Sequence, residues 1–109
     1  MVTRKKRLRI AAGRFRGRVI ASPPGIRPTA GRTREALMSL WQDELAGSIF
    51  LDLFAGSGAV GIEALSRGAA EAMFIDQDPR VIAILKANLE LLHVKGTSIH
   101  RLQLPGGLE

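Results

Sequence analysis

A glycine-rich turn between two carboxylates is the part of this sequence whose residue types could bind a small molecule. The turn is Gly56-Ser57-Gly58-Ala59-Val60-Gly61, a G-x-G-x-x-G pattern that follows an apolar run ending near Asp52. Apolar residues at helical spacing come next, so strand, glycine turn and helix follow one another as they do in cofactor sites. Glycines let a ligand approach the backbone closely, and a helix N-terminus presents N–H groups to it.

Asp52 indicates which cofactor the turn favours. A dinucleotide would place a diphosphate here, and a carboxylate four residues before Gly56 would repel it. The same carboxylate suits a ligand with an ammonium group, such as the methionine end of S-adenosylmethionine (SAM). Asp76 ends the next strand about 20 residues after Gly56, where an acid that binds ribose hydroxyls is expected. The alternative is that Asp52 caps a turn and Asp76 merely ends a strand.

Length and composition bound the remaining possibilities. The chain has 109 residues, of which 46% are hydrophobic and none is cysteine, so we expect one small domain without disulfides or cysteine-based zinc sites. No apolar run could cross a bilayer and no secretory signal follows the basic N-terminus, so we expect a cytoplasmic protein without membrane contact. His93 and His100 have no Cys, Asp or Glu at metal-ligand spacing, and we assign no metal site.

Charge is distributed unevenly along the chain. Residues 1–34 hold eleven of the sixteen Lys and Arg and no acid, whereas the rest holds five basic and ten acidic residues. A basic arm joined to an acidic ligand-binding unit predicts a polyanionic partner, with nucleic acid as the leading candidate. Two alternatives are a solvated tail and an organelle transit peptide, although transit peptides are Ser-rich and Ser22 is the only serine of the arm.

The arm is predicted to form a β-hairpin followed by a linker. Strands are expected at residues 8–11 and 18–20, because apolar residues recur there and the glycines between them can form a turn. Ser22-Pro23-Pro24-Gly25 breaks regular structure and serves as the linker. Thr29 is then a suitable N-cap for a first helix.

Arginines and one phenylalanine cluster in the predicted hairpin. Arg14, Arg16 and Arg18 suit phosphate contact, and Phe15 could stack on a base. Phe15 could equally pack the hairpin onto the domain, and the sequence leaves both interpretations open.

A first amphipathic helix is predicted over residues 32–45, ending near Gly47. Its tryptophan is assigned to the core rather than to a binding platform. The expected apolar face consists of Leu37, Leu40, Trp41 and Leu45.

A further helix, after the one that follows the glycine turn, is predicted to begin at Asp78-Pro79, with Asp78 as N-cap and Pro79 in the first helical position. Gly96 is its expected end, and residues 97–104 could form a third strand of the sheet, although residues 102–107 pass into a turn. Asn88 is expected to make structural hydrogen bonds rather than to contact a ligand. The predicted buried face consists of Val81, Ile82, Leu85, Leu89 and Leu92.

Three segments together resemble the RsmD family, bacterial methyltransferases that modify a guanine exocyclic amine in small-subunit ribosomal RNA. The segments are 9–18 in the hairpin, 27–37 beginning Arg-Pro-Thr, and 52–69 running from Asp-Leu-Phe-Ala-Gly-Ser-Gly to Ser-Arg-Gly-Ala. The match covers nearly the whole chain to about Leu92, which makes it far more specific than the glycine motif alone.

The resemblance implies an α/β, Rossmann-like SAM-dependent methyltransferase fold with the basic β-hairpin as an N-terminal extension. SAM would be the methyl donor, and small-subunit rRNA or the assembling small ribosomal subunit would be the partner. The Thr29 region would close over the cofactor pocket. The implied RNA contacts are Arg14, Phe15, Arg16, Arg18 and Arg27, and the implied cofactor contacts are Asp52, Phe54, Ala55, Gly56, Gly58, Asp76 and Thr29.

Two departures from the family pattern bear on activity. Gly31 stands where the family usually has Asp, which loosens a helix start. The family's catalytic Asp/Asn-Pro-Pro-Phe/Tyr motif has no counterpart, because the only Pro-Pro here is Pro23-Pro24 after Ser22, and we name no catalytic residue. We therefore expect residues 1–28 to form the arm and residues 29–109 the N-terminal half of the domain, with the C-terminal half missing.

A sheet that ends after about three strands has a physical consequence. The first strand is central in this fold, so the apolar strand 49–53 would keep an unpaired edge, which invites aggregation. We expect the chain alone to be marginally stable or to need a partner. Three functions stay open: an rRNA methyltransferase present only in part, a non-catalytic module that binds RNA or SAM, and a dinucleotide-dependent oxidoreductase, which Asp52 and the basic arm disfavour.

Overall fold

The computed structural model describes residues 6–23, 31–53 and 55–103. These parts form a two-stranded antiparallel sheet and a three-stranded parallel sheet with helices packed against them, which confirms the predicted α/β class with an N-terminal hairpin. The elements in chain order are β1 (Lys6–Arg9), β2 (Val19–Ser22), α1 (Gly31–Leu40), α2 (Gln42–Leu45), β3 (Ile49–Asp52), α3 (Ala59–Ser66), β4 (Glu71–Asp76), α4 (Pro79–Leu91) and β5 (Thr97–Arg101).

The parallel sheet has the strand order β3-β4-β5. Parallel neighbours need a crossover connection, and α3 and α4 supply the two crossovers. On the central strand β4, Phe74 is fully buried under α3. A Cβ added at Gly61 would overlap the Phe74 ring, so α3 lies this close to the sheet because residue 61 has no side chain.

β3 lies at an edge of the parallel sheet, since β4 is its neighbour among the described strands. Ile49, Leu51 and Leu53 are 65%, 52% and 38% exposed, although the sequence of this strand is apolar. Phe50 points the other way and packs against Trp41, with ring centroids 5.9 Å apart. In the described part of the sheet, β3 therefore has an open edge, and its face that carries Ile49, Leu51 and Leu53 is also uncovered.

The predicted hairpin is present, but its strands are shifted. β1 begins and ends two residues earlier than predicted, and β2 begins one residue later and ends two residues later. The reason is that the amides of Ala11 and Ala12 donate to the Glu63 carboxylate instead of continuing the strand. Ser22 ends β2 and is buried, so it does not belong to a linker as predicted.

The hairpin and the parallel sheet share one hydrophobic core. Ile10, Phe15 and Ile20 from the hairpin are buried in the same cluster as Ile62 and Phe74. The described part of the arm is therefore folded against the rest of the chain and is not a solvated tail. Within the described residues, no helix has the length and apolarity that a membrane span requires.

The single helix predicted over residues 32–45 is in fact two helices, which meet at Trp41. The predicted apolar face was also wrong in part, because Leu40 is 76% exposed while Arg34 and Met38 are buried. Arg34 pairs with a buried carboxylate on α3, which turns this side of α1 inward. Trp41 packs against the core, as expected.

α4 begins as predicted and ends earlier. The Asp78 carboxylate accepts a hydrogen bond from the Arg80 backbone N–H at 2.8 Å, with Pro79 in the first turn. All five residues predicted for its inner face are buried. The helix ends at Leu91 rather than near Gly96, and His93 follows with a φ of 52°. β5 ends at Arg101, directly before the segment from Leu102 that the sequence assigns to a turn.

Candidate functional site

The glycine turn joins β3 to α3 at the carboxyl edge of the parallel sheet. Gly56 and Gly58 have φ angles of 54° and 86°, in the left-handed region that favours glycine. A Cβ at Gly58 would overlap the end of the Leu85 side chain, so the glycine also lets Leu85 pack closely against the turn. A Cβ at Gly56 would meet no atom within 4 Å, so this part of the backbone faces open space. The turn thus has one glycine for packing and one that a ligand can approach.

Asp76, at the end of the neighbouring strand β4, binds the backbone of the glycine turn. Its Oδ2 accepts a hydrogen bond from the Gly56 backbone N–H at 3.1 Å, and its Oδ1 accepts one from Asp78 N–H at 3.1 Å. The Ala55 N–H donates to the carbonyl of Ile75 at 3.0 Å. Each oxygen of an ionised carboxylate can accept more than one hydrogen bond, so Asp76 keeps acceptor capacity for a ligand.

Asp52 ends β3 and lies opposite Phe74 in the strand register. The side chain is half-buried. Because β3 and β4 are parallel neighbours, Asp52 and Asp76 both lie at the carboxyl edge of the sheet, where ligands bind in this class of fold. The structure therefore brings Asp52, Asp76 and the Gly56 backbone to one edge. Phe54 and Thr29, also predicted cofactor contacts, fall outside the described residues.

Asn88, on α4, ties the glycine turn to the hairpin. Its Nδ2 donates to the carbonyls of Ser57 and Ala21, each at 2.8 Å, and its Oδ1 accepts from the Ala21 N–H at 2.9 Å. The side chain is buried, so these bonds replace the water it has lost. The structural role predicted for Asn88 is confirmed, and its partners show that it connects two predicted binding regions.

A buried carboxylate on α3 was not among the predicted site residues. Glu63 is 0% exposed, and its Oε1 accepts from Ala11 N–H at 2.9 Å and from Arg34 Nε at 3.2 Å. Its Oε2 accepts from Ala12 N–H at 3.2 Å and from Arg67 Nε at 3.1 Å. A buried charge needs this complete pairing. The available signal was a lone acid in an apolar helix, four residues before an arginine.

The last turn of α3 receives the turn of the hairpin. The carbonyl of Ser66 accepts from Arg14 N–H at 2.8 Å, and its Oγ accepts from Phe15 N–H at 2.8 Å. The same hydroxyl donates to the carbonyl of Ala12 at 2.6 Å. Gly13 has a φ of 83°, and a Cβ there would overlap the Ser66 carbonyl. We call the contacts of Glu63 and Ser66 with residues 11–15 the hairpin junction.

The arginines of the hairpin divide between two sides. Arg16 lies with Arg9 beside the start of α1, where both line a concavity of about 280 Å³. Arg18 faces α4, and its guanidinium donates to the carbonyl of Leu91 at 3.4 Å. The predicted basic cluster is therefore not one continuous patch.

Phe15 packs the hairpin onto the domain. It is 8% exposed and belongs to the core, while the guanidinium carbon of Arg14 lies 4.6 Å from its ring centroid. The stacking contact considered for Phe15 is corrected, because a ring buried in this way presents no face to a base. Arg27, another predicted RNA contact, lies outside the described residues.

Comparison with known proteins identifies the family. The family described as conserved hypothetical protein 95 has a model that matches residues 8–104. The chain belongs to this family. The RsmD resemblance is confirmed by the same match together with the relatives described next.

Relatives of the chain include Ribosomal RNA small subunit methyltransferase D of Escherichia coli strain K12. The identity is 46% over 87 residues, which cover 78% of this chain and 44% of the relative. The Haemophilus influenzae protein of the same name is 42% identical over 90 residues, covering 81% and 47%. The solved structure titled "Putative methyltransferase yhhF from Escherichia coli" superposes with a TM-score of 0.83 at 40% identity, covering 90% of this chain and 54% of that one. The chain spans about half the length of the curated relatives it matches, and the methyltransferase-like fold is confirmed for that half.

The RsmD-family segments of the chain meet one another in the structure. Segment 9–18 forms the hairpin turn, Arg34 lies on α1, and Glu63 to Arg67 form the end of α3. These are the residues of the hairpin junction and its ion pairs, so much of the family pattern outside the glycine turn serves to attach the hairpin. Gly31, where the family usually has Asp, is the first residue of α1.

Proposed function

We propose that this chain carries the SAM-binding and RNA-contacting portion of a methyltransferase that modifies a guanine exocyclic amine in small-subunit rRNA. The observation that carries the proposal is the open Gly56 backbone between two carboxylates at the carboxyl edge of the sheet. The E. coli relative is named as a small-subunit rRNA methyltransferase, and this chain covers 44% of it. Ribosomal RNA as substrate would place the protein in the cytoplasm.

The residues of the turn fit SAM better than a dinucleotide. Asp52 is half-buried at the sheet edge, where a carboxylate attracts an ammonium group and repels a diphosphate. Asp76 can accept hydrogen bonds from ribose hydroxyls while it holds the Gly56 and Asp78 amides. When bound, SAM supplies a methyl group on a cationic sulfur. We assign Phe54, Ala55, Gly58 and Thr29 to the same site.

The hairpin is proposed to contact RNA through phosphate groups. Residues 1–34 contain no acid, and Arg14 and Arg16 are exposed in the described structure. Arginines on such a surface neutralise phosphates and make affinity depend on salt. Arg18 and Arg27 are assigned the same kind of contact, whereas Phe15 serves the core.

A second candidate function is binding of RNA or SAM without turnover. One sequence observation favours it, namely that no Asp/Asn-Pro-Pro-Phe/Tyr segment occurs in these 109 residues. The exocyclic amine of guanine is a weak nucleophile because its lone pair is delocalised into the ring. Transfer therefore needs groups that extrude the base and align its amine. We expect binding by this chain and no methyl transfer.

The test combines ligand titration with a transfer assay. SAM is titrated into the purified chain by calorimetry, with NADH as the competing cofactor and Asp76→Asn as the variant. We expect SAM binding that weakens about tenfold or more in the variant, because a charge-assisted acceptor of the ribose is lost. Affinity for NADH without affinity for SAM would refute the assignment.

Transfer of labelled methyl from SAM to unmodified small ribosomal subunits separates the two candidate functions. SAM binding without incorporation supports the non-catalytic module, and incorporation by the purified chain would exclude it. The Asp76→Asn variant serves as the control for incorporation that does not depend on the site.

A further inference from the structure

A concavity of about 280 Å³ lies between the hairpin and the first turn of α1. Arg9, Arg16 and Gly17 line it from the hairpin side. Gly31, Arg34 and Glu35 line it from α1. We call it the arginine concavity.

We propose that the arginine concavity binds a single phosphodiester group of an RNA backbone, held by Arg9 and Arg16 together. The proposal rests on the proposed function in taking RNA as the ligand, and it adds the site and the group that is bound. Arg9 was not among the RNA contacts predicted from the sequence.

The position of Arg9 is fixed by two hydrogen bonds. Its Nη1 donates to the carbonyl of Gly17 at 3.2 Å, which holds the guanidinium against the hairpin turn. Its own carbonyl accepts from Arg34 Nη2 at 2.7 Å. A guanidinium has five N–H donors, so Arg9 keeps donors for an anion after binding Gly17. The exposed side chain of Arg16 lines the same concavity.

The charge balance of the concavity favours an anion. Three arginines face one carboxylate in its lining, and the acid that pairs with Arg34 is Glu63, which is fully buried and also shared with Arg67. Arg34 is buried at the floor, so the two exposed arginines are the groups that a ligand meets first. A site of this kind attracts phosphate and holds its oxygens through forked donors.

The Glu35 carboxylate favours a phosphodiester over inorganic phosphate in the concavity. Its exposed carboxylate would repel a dianion such as inorganic phosphate more strongly than the single charge of a phosphodiester. It can also accept a hydrogen bond from a ribose 2′-hydroxyl, the group that distinguishes RNA from DNA. The lining therefore matches a sugar–phosphate unit of RNA better than a free phosphate ion.

The test measures binding of a fluorescent single-stranded RNA by anisotropy over a series of salt concentrations. Arg9→Gln and Arg16→Gln should each weaken binding about fivefold at low salt. Each single variant should keep most of the slope of log affinity against log salt, because the remaining arginine still neutralises the shared phosphate. The double variant should lose about 0.7 of the slope, which is the contribution of one phosphate on a single strand. Arg101→Gln, which removes the same charge from the end of β5, should leave the slope unchanged.

The outcomes separate this proposal from the proposed function. Single variants that each lose about 0.7 of the slope, with about twice that loss in the double variant, would mean two phosphates and would overturn the shared site. A double variant whose affinity and slope match those of Arg101→Gln would overturn it as well, while wild-type RNA binding and SAM binding would leave the proposed function standing. If the wild-type chain binds SAM and no RNA, both this site and the RNA part of the proposed function fail.

A second variant tests the role of Glu35. Glu35→Gln should bring the affinities for RNA and for DNA of the same sequence closer together and should increase competition by inorganic phosphate. An unchanged RNA-to-DNA ratio would remove Glu35 from the site. Thermal unfolding of each variant verifies that the fold is retained, and the exposed positions of Arg16 and Glu35 make them suitable for substitution.

Discussion

The hairpin junction and the outer edge of β3 belong to the same small fold, but the junction is fully paired whereas the edge is largely uncovered. At the junction, one fully buried carboxylate receives two amides and two guanidinium groups. At the edge, Ile49, Leu51 and Leu53 leave 65%, 52% and 38% of their surface exposed. The difference shows that the hairpin junction satisfies its buried carboxylate, whereas β3 leaves apolar surface uncovered. Stability should therefore respond sharply to changes at the junction and weakly to changes at the edge.

Removal of the buried carboxylate is expected to have the largest effect. Glu63→Ala would remove the buried counter-charge of Arg34 and the acceptor of two partly buried amides, which should lower the free energy of unfolding by about 3–5 kcal/mol. Urea unfolding monitored by circular dichroism measures this. Glu90→Ala, at an exposed position on α4, is the control and should change stability by about 0.5 kcal/mol or less. Equal losses of unfolding free energy in the two variants would show that the buried Glu63 contributes no more to stability than an exposed glutamate.

Gly13 and Gly17 offer a matched pair that isolates the contact at the junction. Their φ angles are 83° and 82°, but a Cβ would overlap the Ser66 carbonyl at Gly13 and meet nothing within 4 Å at Gly17. Gly17→Ala should cost about 1 kcal/mol for the left-handed backbone alone. Gly13→Ala should cost about 2 kcal/mol more, because the hairpin must move away from α3. If both variants unfold at the same urea concentration, the close approach at Gly13 is not required.

A substitution on the outer edge of β3 is expected to change stability little and self-association more. Leu51→Lys places a charge on the exposed edge, which should change the free energy of unfolding by about 0.5 kcal/mol or less and reduce self-association. Light scattering over a range of protein concentrations compares the variant with the wild type. A wild-type chain that stays monomeric and unfolds cooperatively would contradict the expectation that the open edge makes it marginally stable.

The smallest effect is expected at an exposed carboxylate, which contrasts with the buried Glu63. Hydrogen bonds from the Arg80 backbone and side chain lower the pKa of Asp78 from its ordinary value of 3.8. Because the folded state has the lower pKa, the contribution of Asp78 to stability is complete above pH 3.8 and is lost as the pH falls through the lowered value. Asp78→Asn keeps a cap and should remove this part of the acid sensitivity. The test compares the melting temperatures of the wild type and the variant at neutral and acid pH. If both proteins lose the same number of degrees at acid pH, the acid sensitivity belongs to other groups.

Local sequence patterns predicted the elements that depend on neighbouring residues. The glycine turn, the Asp78-Pro79 helix start and the antiparallel hairpin all follow from residue types a few positions apart. The structural role of Asn88 was also predicted, although its partners were not.

The features that the sequence did not predict depend on partners far away in the chain. Glu63 meets Ala11, which lies 52 residues earlier, and nothing near Glu63 in the sequence indicates that pairing. The inner face of α1 was wrong at Leu40 for the same reason, since Arg34 turns inward to reach Glu63. Hydrophobicity alone assigns a leucine to the core and an arginine to solvent, whereas a buried counter-charge reverses that preference.

The length of α3 fixes the distance between the glycine turn and the hairpin turn. It has eight residues, Ala59–Ser66, which at 1.5 Å per residue sets a length of about 12 Å. The N-terminus of α3 follows the proposed cofactor turn, and its C-terminus is hydrogen-bonded to the turn of the hairpin. One residue inserted into α3 would rotate these two ends by about 100° and separate them by a further 1.5 Å or so. Under the proposed function, the number of residues in α3 sets the distance between the RNA backbone held by the hairpin and the methyl donor held at the glycine turn.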